Sequence, residues 1–181
     1  MVAVALAAAF AVWLYLRERN DENTAPTPPT STVAPSSVVR AREQTLARIS
    51  RVSRRPIYWA GPQRNMKLEL TQTASGRIFI RYLPLNVKIG DRRGRYLIVG
   101  TYPVPNAYQA IQTAARERGA HRLRLRRGFL GVYNDDAPTN VYFAARGSNF
   151  QIEVYHPNPR RALALVRSGK IRPIRLKSTR G

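Results

Sequence analysis

The chain has 181 residues, enough for one domain with flanking segments, and its 44% hydrophobic content is ordinary for a protein with a real core. Its charge is not ordinary: 31 Lys and Arg against 10 Asp and Glu give a formal net charge of +21, which draws anionic partners. The absence of cysteine excludes disulfides, thiolate metal sites and thiol chemistry.

Of the basic residues 27 are Arg. Arg grips phosphate and carboxylate in a bidentate fork, so the bias fits anion binding. A GC-rich genome writing Arg codons gives the same count.

Residues 1–16 carry no charge, Pro or Gly, and Arg17-Glu18-Arg19 stops the run. As a helix the run rises ~24 Å against a hydrocarbon core of roughly 30 Å. Trp13 and Tyr15 suit a membrane interface. A signal peptide ends in small residues, but here Ala7-Ala8-Ala9 lie mid-run and Trp13 to Leu16 follow. We therefore expect an uncleaved, single-pass transmembrane anchor. Its shortness and missing basic lead-in are expected to reflect a true start upstream of Met1.

Residues 17–37 form a Pro/Thr-rich linker with Ala25-Pro26-Thr27-Pro28-Pro29 at its centre. Such composition cannot build a core and behaves as a spacer. A stalk of this kind holds a domain outside the membrane, in the cell envelope. Arg17 and Arg19, taken alone, would hold the following chain in the cytoplasm.

Residues 38–55 predict a basic amphipathic helix capped by Ser37. Val39, Leu46, Ile49 and Val52 make its apolar stripe, and Arg40, Arg42, Arg48, Arg51, Arg54 and Arg55 its charge. It would lie on a membrane surface or pack its stripe on the domain.

Residues 56–181 predict a basic α+β domain, a mainly antiparallel sheet with two helices on one face. Residues 57–60 read as a short strand. Residues 66–73 and 77–83 alternate around Ala74-Ser75-Gly76, which sets Leu70 opposite Ile80, Leu68 opposite Tyr82 and Glu69 opposite Arg81. Residues 96–102 are a further strand, and Asn106 caps a small-residue helix ended by Gly119. Residues 121–127 and 129–134 pair with Leu123 opposite Val132 and Leu125 opposite Leu130. Residues 141–146 and 149–155 pair around Gly147-Ser148, with Phe143 opposite Ile152 and Val141 opposite Val154. Asn158-Pro159 opens a second helix that Gly169 ends, and residues 171–176 close the domain as a basic strand.

Two blocks repeat this order. One runs strand, Tyr102-Pro103-Val104-Pro105-Asn106, helix, Gly119, basic strand; the other runs strand, Tyr155-His156-Pro157-Asn158, helix, Gly169, basic strand. This is either a degenerate βββαβ duplication or a coincidence.

No catalytic, cofactor or metal constellation is legible. His121 and His156 lack partners in the sequence, the Asp135-Asp136 pair reads as a turn, and Gly90 to Gly94 lacks the setting of a phosphate loop. What remains is a basic surface. Arg122, Arg124 and Arg126 share one side of their strand, and Arg77 and Arg81 one side of theirs; were these strands adjacent they would form an anion-binding plate. The bland reading is a solvated sheet face.

Phrases such as Tyr58-Trp59-Ala60-Gly61-Pro62, Ile80-Arg81-Tyr82-Leu83-Pro84 and Gly100-Thr101-Tyr102-Pro103, with the alanine-rich run and the Pro/Thr stalk, give the chain a likeness. It resembles uncharacterised single-pass membrane proteins of high-GC Gram-positive bacteria. The resemblance implies an anchored envelope protein and transfers no functional residues. The expected function is non-catalytic binding of anionic lipid, acidic cell-wall polymer or a partner protein outside the membrane. The alternative is a cytoplasm-facing domain that binds nucleic acid or the anionic inner leaflet.

Overall fold

Strand pairing, not helical periodicity, governs the first residues of the fold. The computed structural model describes residues 37–91 and 93–175. The expected anchor at 1–16 and all but the last residue of the linker at 17–37 lie outside the described residues. Among the described residues, no helix is long and apolar enough to cross a membrane.

The predicted basic helix over 38–55 is corrected. Its first part is strand β1 (Ser37–Ala41), and only the remainder is helix α1 (Glu43–Val52). The partner explains the change: β1 pairs antiparallel with β3 (Met66–Gln72) and satisfies an edge that would otherwise be bare. The predicted stripe splits accordingly. Leu46 is buried and Ile49 packs on the core, whereas Val39 lies on the strand and Val52 is 76% exposed.

The chain then gives β2 (Tyr58–Trp59), β3, β4 (Ile78–Pro84), β5 (Ile98–Pro103), α2 (Ala107–Ala114) and β6 (Ala120–Arg124). A short 3₁₀ turn (Arg126–Gly128) leads to β7 (Phe129–Asn134), β8 (Asn140–Ala145), β9 (Phe150–Tyr155), α3 (Pro159–Arg167) and β10 (Arg172–Pro173). Eight strands form one antiparallel sheet in the order β1-β3-β4-β5-β9-β8-β7-β6, and β10 pairs with β2 in a separate ribbon. The fold is thus mainly antiparallel, with three α-helices among the described residues: the two predicted within residues 56–181, and α1 from the predicted basic helix.

Two hairpins have the registers their alternation predicts. Leu70 faces Ile80 and Glu69 faces Arg81 across β3 and β4; Val141 faces Val154 and Phe143 faces Ile152 across β8 and β9. The β6–β7 register differs by one residue. Leu123 faces Gly131 and Arg122 faces Val132. The reason is the turn: Arg127 and Gly128 both take positive φ, 59° and 73°, and shift the pairing.

The sheet is covered on both faces, which corrects the expectation that both helices share one. The front face carries Leu70, Ile80, Val99, Ile152, Val154, Val141 and Phe143, packed with Leu46 of α1, Ala162 and Val166 of α3, and Tyr58 and Trp59 of the ribbon. The back face carries Leu130, Val132, Tyr142 and Ala144 under Ala107 and Ile111 of α2. α2 has a helix-compatible apolar face but follows Asn106 in a left-handed conformation (φ 53°, ψ 40°), without a side-chain cap. α3 has the predicted cap, with Asn158 accepting from the Arg161 N–H and Pro159 in the first turn.

Two hydroxyls fasten the ribbon to the sheet. The Tyr58 N–H donates to Thr101 Oγ1 at 3.1 Å, and the Ala60 N–H donates to the Tyr82 hydroxyl at 2.7 Å. Tyr82 is fully buried, and that burial pushes its phenol well above the usual range. Tyr82→Phe removes the acceptor and leaves a buried N–H unpaired. We expect a loss of about 1–3 kcal/mol in urea unfolding of the full chain; an unchanged midpoint would show that the ribbon is held by apolar contact alone.

Candidate functional site

The five predicted anion-binding arginines do not meet. β4 and β6 are separated by β5, β9, β8 and β7, a span of roughly 24 Å at about 4.8 Å per strand. Arg77 sits just before β4, half-buried. Arg81 is committed internally. Its guanidinium donates to Glu69 Oε1 at 2.6 Å and to the Asp91 carbonyl at 2.6 Å, and lies 5.5 Å from the Tyr96 ring. Glu69 also accepts the Gly90 N–H at 2.5 Å. The pair therefore pins the loop between β4 and β5 onto the back face. Arg122 and Arg124 are exposed on β6, at the sheet's edge. Arg126 lies in the 3₁₀ turn and lines a small cleft of about 240 Å³ with Arg127, Arg167 and Arg172.

The acids are likewise internal. Glu153 of β9 is 6% exposed. Its carboxylate accepts from Tyr102, from Tyr142 at 3.0 Å and from Asn140 Nδ2 at 2.6 Å. That saturated carboxylate braces β5, β8 and β9 and faces away from His156, on the back of the sheet. His121 pairs with Asp135 at 2.7 Å and stacks on Tyr133, out on the exposed β6–β7 edge. Among the described residues no three His, Asp or Glu side chains come together as a metal site.

What the sequence did not reveal is a front-face cleft of about 690 Å³ beside α3. Met66 at the start of β3, Tyr82 of β4, Leu97 before β5 and Leu165 of α3 supply its apolar lining. Arg64, Arg95, Arg161 and Lys170 supply its charge, and all four are exposed. Among the described residues no carboxylate lines it. None of the four forms an ion pair among the described residues. The volume falls within the range of small-molecule sites, and apolar walls with a few convergent polar groups are their usual chemistry.

His156 sits at the cleft where β9 turns into α3. Its Nδ1 accepts the Asn158 N–H at 2.9 Å, so the neutral ring carries its proton on Nε2. Burial first, and the Arg161 guanidinium second, hold its pKa below the ordinary 6.5.

Two outcomes follow. Arg81→Met strands the buried Glu69 and should cost about 3–5 kcal/mol, whereas Arg122→Gln should change unfolding by less than about 0.5 kcal/mol; equal, small effects would return Arg81 to the pool of free surface cations. For His156, the folded state binds its proton less tightly than the unfolded state. The stability it contributes is fully present above pH 6.5 and is lost as pH falls from there through the folded value. An NMR titration of the imidazole should show the midpoint below 6.5 and moving upward in Arg161→Gln.

Comparison with known protein families, curated proteins and solved structures gives no match for this chain.

Proposed function

We propose that the chain is a membrane-anchored, single-pass protein whose basic α+β domain binds an anionic component of the cell envelope without catalysing its conversion. The anchor is the apolar run at residues 1–16, and the Pro/Thr-rich linker holds the domain on the outer side. Anionic lipid headgroups and acidic wall polymers fit the charge, as does an acidic surface on a partner protein. The observation that carries this reading is the carboxylate-free cleft, with Arg64, Arg95, Arg161 and Lys170 unopposed around it. On the back of the sheet, by contrast, Glu69 and Arg81 pair. Unpaired cations gathered at one concavity cost mutual repulsion, and an anion relieves that cost.

The internal repeat belongs to the same proposal. The successions β3-β4-β5-α2-β6 and β7-β8-β9-α3-β10 follow the expected βββαβ order. Their similar phrases leave from β5 and β9, the paired central strands. We read them as divergent copies in which only the second has kept its helix on the front face and there forms the cleft.

A cytoplasm-facing domain that binds nucleic acid or the inner leaflet is the second reading. Arg17 and Arg19 directly after the apolar run favour it, together with the net charge of +21. A topology reporter fused after Ser37 separates the two. We expect activity of an extracytoplasmic reporter, with protease access to the linker in wall-stripped cells. We also expect the variant neutralised by Arg64→Gln, Arg95→Gln, Arg161→Gln and Lys170→Gln to lose at least about tenfold in affinity for anionic vesicles at low salt. A protected linker with steeply salt-dependent DNA binding would replace the first reading by the second.

A further inference from the structure

We propose that the cleft beside α3 is a binding site for an amphiphile that carries a phosphate head on an unbranched apolar chain. This rests on the anion-binding reading and names its ligand. Three features of the cleft carry it.

The first is its division into two chemistries. Met66, Leu97 and Leu165, backed by the buried Tyr82, give the apolar part of the lining, and Met66 is 42% exposed although it opens a core strand. A bare inorganic anion would leave that wall wet. An apolar chain covers it, and the flexible Met side chain adapts to chains of different length.

The second is the amount of charge. Among the described residues the four cations form no ion pair, and no acid lines the cleft. A phosphate monoester carries about −1.5 to −2 at neutral pH, where a carboxylate carries one charge, so phosphate matches the excess better. Arg64, Arg95 and Arg161 can each grip two of its oxygens. His156, kept neutral, has its Nε2–H left over as a further donor.

The third is the entrance to α3. Its first turn has no acid and instead carries Arg160 and Arg161. Cations there oppose the helix dipole, a placement that disfavours the isolated fold. A phosphate held by Arg161 reverses the sign of the local charge at that helix end.

Isothermal titration of the full chain in phosphatidylcholine nanodiscs, referenced to empty discs, tests the assignment with simple probes. Decyl phosphate should bind, with affinity falling up to roughly fourfold per methylene removed along the series to hexyl phosphate. Inorganic phosphate should bind at least a hundredfold more weakly than decyl phosphate, and decyl maltoside and decanoate at least tenfold more weakly. Arg161→Gln with Lys170→Gln should weaken decyl phosphate at least tenfold with an unchanged circular dichroism spectrum, while Leu165→Gln should flatten the chain-length series. A diazirine-bearing alkyl phosphate should label residues near Met66, Leu97 and Leu165. Phosphatidic acid in the discs would compete if the source is a membrane lipid; a soluble alkyl phosphate as the source leaves decyl phosphate binding unaffected by it, and either supports the site. Equal binding of inorganic and decyl phosphate would overturn the amphiphile and leave the anion-binding reading standing. Equal binding of decyl maltoside would overturn the phosphate head. No binding of either phosphate would overturn both.

Discussion

The structure depends on how a two-stranded ribbon is seated across the front of an eight-stranded sheet. A ribbon laid on a sheet face brings backbone N–H groups into an apolar layer, where unpaired donors are costly. Thr101 and Tyr82, rising from β5 and β4, accept two of them. With the ribbon fixed, α3 packs on the same face, and the space left between α3 and the ends of β3, β4 and β5 is the cleft. Tyr82 serves both sides of this arrangement, since its hydroxyl holds the ribbon and its ring belongs to the cleft lining. Stability and the shape of the site are therefore tied at one residue.

The charge distribution follows a similar economy. The chain has only ten acids, and two of them, Glu69 and Glu153, are buried on the back face. Each is saturated by donors from the sheet or its covering loop. Acids used inside the fold are not available to neutralise the surface. Among the described residues the cations around the front cleft form no ion pair, whereas Glu69 and Glu153 find their donors on the back of the sheet.

Where local pattern and tertiary pairing agree, the fold was legible. Met66 to Leu83 and Val141 to Tyr155 alternate cleanly around short turns, and their registers are as the pattern demands. Where they compete, it was not. The segment from Ser37 to Val52 has both helical spacing and a short alternation, and the open edge of β3 decides for strand over its first five residues. The turn at Arg126 to Gly128 carries no sequence mark of its left-handed arginine. The arginine plate failed because adjacency of β4 and β6 is a matter of topology, not of sequence spacing. The cleft was hidden for the same reason: Arg64, Arg95 and the Arg161–Lys170 stretch come from three distant segments, and only the tertiary fold gathers them.

Arg122 and Arg124 acquire a different significance from their position on β6. Among the described residues the sheet is open, with β6 and β1 as its outer strands. A bare edge strand templates further strands, in other copies of the chain as readily as in its own. On β6 two exposed arginines flank the edge, and Arg40 stands on β1. Two molecules approaching edge to edge would bring these like charges together before a single hydrogen bond formed. Whatever else these arginines meet, their place on the outer strands sets like charges against edge-to-edge pairing between copies of the chain.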